Sequence, residues 1–402
     1  MKMVFLKSPR NRNSIAVLER VLRSSGLRIS TRAETTVPTD LDERDIFAFS
    51  FTTTDLDAVV EVLRPILLGP RRPLLLAGGA HATADPDGTL SLGFDAVFVG
   101  EAEHTLPQFL RAWTDDPSRK RVQEDPIVRP GEPYDLNSET HADESTAQFP
   151  FLEISRGCPY ACAFCQVPMA FGRRMRFRGP AMSAAGVAHA VARGHRRIRC
   201  LTSDAFAYGG GGPAQVAASL ESLALACREA GADYLMLGNF PSEVRPDRVC
   251  PELLGVLVRH CANPTVVVGV QSGSDAVLCA MRRGHTVQES VSAVSLIREA
   301  GLMPHVDLLL GFPGETSADR RATLELALWV LSLPSSRLHL HVYLPLPGTP
   351  AWPAEPEALE PQVIARLRQL VATGRVDGYW DQQIAQGKRI LAQRRSGLIH
   401  CR

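Results

Sequence analysis

The chain has 402 residues, a formal net charge of +1 and 45% hydrophobic residues. That length exceeds the ~250–300 residues at which a single core stops growing, so two domains are expected. The near-zero charge argues against the basic field of a nucleic-acid binder, and no run is apolar enough to span a bilayer. Residues 1–7 are too short an apolar start for a signal peptide, so the nine cysteines are read as reduced thiols of a cytoplasmic protein with no membrane or nucleic-acid partner.

Taken in order, residues 3–6 form an apolar strand, and residues 14–22 carry helical spacing that ends at Ser25-Gly26. Residues 28–32 read as a weaker strand, 46–51 (IFAFSF) as a stronger one, and 56–68 as a helix. A strand at 74–77 runs into the Gly78-Gly79 turn, a short helix near Leu90 precedes a strand at 96–99, and a helix at 104–113 closes the unit. This alternation predicts a doubly wound parallel α/β sheet of about five strands, Rossmann-like, over residues 1–114. Such sheets bind ligands beyond their strand C-termini, where Ser50, Thr52, Gly78, Gly79, His81, Gly100 and Glu101 stand. Residues 115–149, rich in Pro, Asp, Glu and Ser, read as a linker with a solvated acidic stretch at 139–144.

From residue 150 the alternation resumes in longer units. Strands are expected at 151–155, 198–203, 234–237, 266–270, 306–310 and 338–344, with helices at 183–193, 214–230, 253–260, 287–300 and 318–331. Consecutive units of this kind imply a partial (β/α)6 barrel over 150–350, its active site at the strand C-termini. Residues 351–402 are expected to form a helical extension around a helix at 361–373.

The stretch 151–168, FLEISRGCPYACAFCQVP, places Cys158, Cys162 and Cys165 in the spacing C-x3-C-x2-C on a loop leaving a strand. Three thiolates on one short loop can hold three corners of a cuboidal iron–sulfur cluster, which leaves the fourth iron open to a substrate or cosubstrate. A zinc site would need a further pair of ligands, and none follows. Buried structural thiols are the plainer reading, but three cysteines at metal spacing rarely arise from packing. That reading suits Cys200, Cys227, Cys250, Cys261, Cys279 and Cys401, which are scattered singly.

The motif, with Phe164 just before the last cysteine, resembles that of the radical S-adenosylmethionine (SAM) enzymes. The resemblance implies that the three cysteines hold a [4Fe–4S] cluster whose open iron chelates the amino and carboxylate groups of SAM. Reduction, by a partner such as flavodoxin or ferredoxin, would then cleave SAM to a 5′-deoxyadenosyl radical. The sheet half, through GGAHAT (78–83) and VGEAEHTL (99–106), resembles the cobalamin-binding domain that precedes one large group of these enzymes. It departs from that pattern in the loop KSPRNRN (7–13), which holds no D-x-H-x-x-G. Either the lower cobalt face has no protein nitrogen or cobalamin binding has been lost; His81 is a candidate ligand, with a structural turn histidine as the alternative.

On the barrel, the loops after successive strands carry the remaining candidates. SDAFAYGGGG (203–212) puts Asp204 where the family meets the SAM amino group, with a plain flexible loop as the alternative. Glu243 and Arg245 follow the third strand, suited to a ribose or ammonium and to a carboxylate, or to each other. GVQSGSD (269–275) resembles the family segment that contacts the SAM ribose and carboxylate, which selects Gln271 and Ser272, with Ser274 as a helix cap. DLLLGFPGET (307–316) brings Gly311, Pro313 and Gly314 into a turn near an adenine. The resemblance implies methylation of an unactivated carbon or phosphorus of a small molecule or peptide. Rearrangement or cyclisation, a cobalamin-free radical SAM reaction and a non-catalytic iron–sulfur sensor are the alternatives.

Overall fold

The runs KMVFL, IFAFS and LLLAG are apolar on both faces, a pattern that suits the middle of a parallel sheet covered on both sides. The computed structural model, which describes residues 1–69, 72–115, 124–138 and 151–401, places them there. The first unit runs β1 (Lys2–Leu6), α1 (Arg12–Ser24), β2 (Ser30–Glu34), β3 (Ile46–Ser50), α2 (Leu56–Leu68), β4 (Leu74–Gly78), α3 (Gly79–Ala84), α4 (Pro86–Ser91), β5 (Ala96–Phe98), α5 (Thr105–Asp115) and β6 (Ile127–Val128). Its strands pair in the order β2-β1-β3-β4-β5-β6, all parallel. The sixth strand corrects the linker expectation: Ile127 and Val128 are too short a run to show periodicity, yet they extend the sheet beside Val97 and Phe98. The acidic stretch 139–144 lies outside the described residues.

One face of this sheet, with Phe5, Ala48, Leu76 and Phe98, packs on α1 and α5 through Ile15, Leu22, Leu106 and Trp113. The opposite face, with Val4, Phe47, Phe49 and Leu75, packs on α2 and on Trp352, Ile390 and Ile399 from the end of the chain.

The second unit continues with β7 (Leu152–Glu153), β8 (Ser155–Arg156), α6 (Val167–Phe171), β9 (Arg176–Phe177), α7 (Pro180–Ala192), β10 (Arg197–Leu201), α8 (Pro213–Glu229), β11 (Tyr234–Met236), α9 (Pro251–His260), β12 (Thr265–Gln271), α10 (Asp275–Ala280), α11 (Val287–Glu299), β13 (Met303–Leu310), α12 (Ser317–Ser332) and β14 (Arg337–Val342). The last segments are α13 (Pro361–Val371), β15 (Val376–Gly378) and α14 (Trp380–Arg395). Two parallel sheets, β7-β10-β11 and β12-β13-β14-β15, meet through the bridge Val244–Val268 and the Val267 N–H bond to the Gly238 carbonyl at 2.8 Å. The result is an open, partial β/α barrel.

The tail is therefore more than helical, because its β15 adds an edge strand beside β14. Val306, Leu308, Leu338 and Leu340 face the outer helices. Their neighbours His305, Asp307, His339 and His341 alternate onto the less buried, concave side. Capping boxes at Thr286/Glu289 and Thr316/Asp319 start α11 and α12. Among the lone cysteines, Cys200 and Cys227 are buried as expected, whereas Cys279 is exposed. Among the described residues, no helix is long and apolar enough to cross a membrane.

Candidate active site

At the end of β8 the chain turns at Gly157, where φ is +89° and a Cβ would fall 2.3 Å from the Arg174 carbonyl oxygen. Only glycine fits that approach. The turn delivers Cys158, Cys162 and Cys165 onto one short loop, Cys162 buried and the other two half-buried. Two donors aim at sulfur: Arg283 Nη1 lies 3.3 Å from Cys162 Sγ, and the Val167 N–H 3.5 Å from Cys165 Sγ. The loop is tied down where the Ala163 N–H meets the Met281 carbonyl at 2.9 Å and the Ala351 N–H meets the Ala163 carbonyl at 2.8 Å. Burial pushes the Cys165 thiol up to about 11 despite the Val167 N–H, and the nearby Cys162 and Cys158 add to the rise. Thiols that oppose one another's ionisation become stable thiolates around a cationic centre, so this donor set fits an iron–sulfur cluster.

Beside that loop, Asp204 follows β10 and is buried. Burial pushes its carboxyl up to about 6, against the pull of Arg248 and Arg245. Its Oδ2 lies 3.3 Å from Arg248 Nε, and its Oδ1 accepts the Phe206 N–H at 3.1 Å. The Arg245 guanidinium sits 3.6 Å above the Tyr160 ring, pairs with Asp247 at 3.0 Å and donates to the Arg283 carbonyl. Tyr160 lies between Cys158 and Cys162, so the stack joins this polar cluster to the cysteine loop. Sequence reasoning passed over Tyr160 and Arg248, although an aromatic inside CPYAC was a usable signal.

Gln271 ends β12 at φ +76°, where pairing with β13 skips a residue. Its side chain folds back beside Arg283: a Cβ added at Gly269 would lie 3.0 Å from Gln271 Nε2 and 3.2 Å from Arg283 Nη2. A non-glycine residue there carries ~1–3 kcal/mol of strain that its surroundings must impose.

Several candidates are turned elsewhere. Ser272 is buried, its hydroxyl 3.1 Å from Thr323 Oγ1 and accepting the Ser274 N–H at 3.1 Å, so it braces the start of α10. Glu243 does not pair with Arg245; it faces the barrel interior near His339 and Asp307, and burial raises its pKa. The Gly311 N–H is taken by Glu315 at 2.6 Å and the Gly314 N–H by Glu357 at 3.0 Å, while Pro313 has no N–H to offer. These amides are spent on the protein's own carboxylates. Phe164 packs beneath the cysteine loop with Phe312 and Tyr343. Among the described residues, the buried Tyr343 hydroxyl has no hydrogen-bond partner.

The C-terminal edge of the first sheet opens into a cavity of about 360 Å³. Ser50, Thr52, Gly78, Gly79 and Gly100 line its mouth, and Ala170 and Phe171, just past Cys165, line the facing wall. Deeper, it becomes an apolar slot between the sheet and α1, passing Phe5, Leu18, Leu76 and Phe98. A wide mouth of small residues above an apolar slot suits a flat corrin ring with a long nucleotide limb.

One sheet-edge candidate, His81, is corrected by the geometry, while Thr52 and Glu101 line the cavity and also carry structural bonds. His81 is 0% exposed, with Nδ1 3.1 Å from Thr53 Oγ1 and its ring 5.3 Å from that of Phe51. It lies off the cavity, because α3 presents Ala80 and Thr83 there and turns His81 into the core. Burial pushes its pKa down to about 4. The Thr52 hydroxyl donates to Asp55 at 2.7 Å ahead of α2.

Glu101 accepts from Arg156 at 2.7 Å, from Arg176 at 3.0 Å and from the Tyr134 N–H at 3.1 Å. Arg156 also meets Glu103 and Glu153, each at 2.7 Å. Burial opposes its charge, yet the three carboxylates hold it protonated. This buried network joins the sheet to the strand that leads into the cysteine loop. Sequence reasoning passed over Arg156 too, although a lone arginine ending an apolar strand was visible. The loop 7–13 is pinned by Asn11, which donates to the Leu6 and Ser50 carbonyls at 2.8 and 2.9 Å, and it brings Arg10 and Asn13 to the cavity without an imidazole.

The radical SAM superfamily model matches residues 152–327, and the B12 binding domain model matches residues 15–110. A tRNA-2-methylthio-N(6)-dimethylallyladenosine synthase of Magnetococcus marinus is 30% identical over 349 residues, which are 84% of this chain and 74% of that protein. The chain belongs to the radical SAM superfamily.

Another relative, the threonylcarbamoyladenosine tRNA methylthiotransferase MtaB of Thermotoga maritima, is 27% identical over 81% of this chain and 70% of its own. The Paracoccus denitrificans synthase is 32% identical over 69% of this chain and 59% of its own length, so the chain spans well under two thirds of some relatives it matches. The solved structure of the radical SAM methyltransferase TsrM from Kitasatospora setae, with cobalamin and a [4Fe–4S] cluster bound, shares the fold at TM-score 0.63 and 16% identity, over 87% of this chain and 73% of that one. The cobalamin-dependent radical SAM enzyme OxsB gives 0.63 at 15% identity, over 81% and 51%. The cofactors of this radical SAM chain are a [4Fe–4S] cluster, SAM and cobalamin.

Proposed function

We propose that this radical SAM enzyme uses cobalamin to methylate an unactivated carbon or phosphorus centre of a small molecule or peptide. In this reading Cys158, Cys162 and Cys165 hold the cluster, Asp204 and Arg245 meet the amino and carboxylate groups of SAM, and Gln271 meets its ribose. When bound, the cluster and SAM supply a radical that abstracts a substrate hydrogen, and cobalamin supplies the methyl group. The chain's own residues prepare the site. Arg283 and the Val167 N–H offset charge on the sulfurs, and Phe164, Phe312 and Tyr343 keep water from beneath the loop.

One observation carries the proposal. The cavity at the sheet edge has Ala170 and Phe171 as its facing wall, so a ring held there looks onto the cysteine loop. The named relatives transfer a methylthio group, which adds a sulfur as well as a methyl. Here the first 157 residues contain no cysteine, so the sheet domain has no thiolate with which to hold sulfur or a further metal cluster. That favours methyl over methylthio transfer.

The test is anaerobic reconstitution with iron, sulfide and hydroxocobalamin, followed by reduction. The protein should show a base-off corrinoid spectrum that His81→Ala leaves unchanged, and should convert SAM to S-adenosylhomocysteine and 5′-deoxyadenosine. Methyl-labelled SAM should label a small molecule or peptide in a metabolite extract. Label found only in tRNA, with added sulfur, would replace this reading by methylthio transfer. A colourless protein that still cleaves SAM would remove cobalamin from the reaction.

A further inference from the structure

The concave face of the barrel holds a second set of chemistry-bearing side chains that the cluster, SAM and cobalamin do not use. On β14 the residues alternate, and His339 and His341 face inward with their rings 4.5 Å apart. Register places His339 opposite Asp307 on β13 and opposite Asp377 on β15. His305, two residues back along β13, brings its ring within 5.9 Å of the His339 ring. Both imidazoles converge on one oxygen. His305 Nε2 lies 3.3 Å from Asp377 Oδ1, and His339 Nδ1 hydrogen-bonds the same atom.

From this convergence we propose that His305, His339 and Asp377 hold a divalent transition-metal ion, distinct from the iron–sulfur cluster. Their ligand atoms all lie within 4.8 Å of one another. Ligands at ~2.0–2.1 Å around a tetrahedral zinc stand about 3.4 Å apart, so the set fits once the hydrogen-bonded His339–Asp377 pair opens and the two imidazole nitrogens draw together. Two imidazoles and one carboxylate are a donor set for zinc or iron(II), and three protein ligands leave a position open to water or substrate. All three ligands stand on adjacent parallel strands, which is the rigid support that a metal site requires.

The surroundings favour a cation. Asp307 and Glu243 also face this interior, and among the described residues neither forms an ion pair with an arginine or lysine. Arg337 reaches only the outer oxygen of Asp377, at 3.5 Å, and Arg283 is engaged with Cys162 and the Gly269 carbonyl. A divalent ion beside Asp377 supplies positive charge near Asp307 and Glu243, which otherwise lack a paired cation. The Gln383 amide, 3.3 Å from His341 Nδ1, fixes the next ring of the row and leaves His305 and His339 as the pair nearest Asp377.

The test uses the full chain carrying its iron–sulfur cluster, dialysed anaerobically against zinc(II) alone and then against buffer. Elemental analysis should give about one zinc per chain beside about four irons, with a zinc absorption-edge spectrum showing nitrogen and oxygen neighbours at ~2.0–2.1 Å. His339→Ala and Asp377→Asn should each lower zinc content at least ~10-fold with iron unchanged. No zinc above trace would overturn the proposal. So would a sulfur shell at ~2.3 Å, which would mean zinc in the cysteine loop, and that spectrum needs no variant to fold. Zinc retained in both variants would overturn it as well.

Discussion

The six-stranded sheet of the first unit and the four-stranded β12–β15 sheet of the second treat their faces in opposite ways. In the first, β3 and β4 are buried along nearly their whole length, both faces are filled with aliphatic and aromatic side chains, and a ligand finds room only at the strand ends and in the slot beside α1. In the second, β14 alternates strictly, and its inward row is polar, Arg337 followed by His339 and His341. A sheet apolar on both sides offers an edge, whereas a sheet apolar on one side offers an interior. The cysteine loop stands between them, with the first sheet's cavity on one side and the polar barrel on the other.

The sharpest way to break this arrangement is at the loop itself. Cys162→Ser should abolish iron binding after anaerobic reconstitution, whereas Cys227→Ala, buried among the outer helices of the barrel, should keep it. Equal iron content in the two variants would move the cluster elsewhere. Next in size is the seam between the sheets. Arg156→Leu leaves the buried Glu103 and the half-buried Glu153 without their cation and Glu101 with Arg176 alone, and should destabilise the chain by ~3–5 kcal/mol in chemical denaturation. An unchanged midpoint would show that the sheets do not depend on this network.

The pH dependence separates the two regions in sign. His81 is held neutral, its pKa pushed down to about 4 by burial. The unfolded chain therefore binds the extra proton between about pH 6.5 and 4, and the stabilisation is lost as pH falls through that window, on the order of 3 kcal/mol. Glu315 and Asp204, at the barrel mouth, are pushed up by burial to about 7 and about 6. They hold protons that the unfolded chain has released, so their contribution is lost as pH rises through those values. His81→Leu should flatten the acid side of the stability profile and leave the rise-side loss in place; an unchanged acid slope would count against a neutral buried imidazole. The smallest effect is Thr52→Ala, expected to cost ~1 kcal/mol through the lost cap while leaving corrinoid affinity unchanged in a spectroscopic titration. Weaker corrinoid binding would return that hydroxyl to the cofactor.

Alternating strands and helices were legible because long apolar periods repeat, and the main elements of both units lie within a few residues of their expected places, whereas the helix Trp380–Arg395 was not anticipated. The missed strands, at Ile127–Val128, Arg176–Phe177 and Val376–Gly378, are two or three residues long and take their conformation from their neighbours in the sheet. Within the site, the cysteines were legible from covalent spacing alone. The rest depended on direction, which sequence does not carry: His81 and Thr83 stand two residues apart, yet one faces the core and the other the cavity. Glu101 reaches the cavity as its loop position suggested, but its engagement by Arg156 from another strand could not be read from the sequence. The His305–His339–Asp377 set was invisible for the same reason, since its members come together only through strand register.

The apolar contacts of Trp352, Ile390 and Ile399 with the first sheet have a bearing on synthesis. The central strands of that sheet have left the ribosome once Phe98 emerges, but the face these residues cover must wait for roughly 300 more residues, or tens of seconds at ~5–20 residues per second. Until then α2, with Ala82 of α3 and Leu90 of α4, shields that face. A nascent chain at this stage carries the strand ends of the ligand edge, still without their facing wall, beside an incompletely covered aromatic flank, a natural holding point for a chaperone.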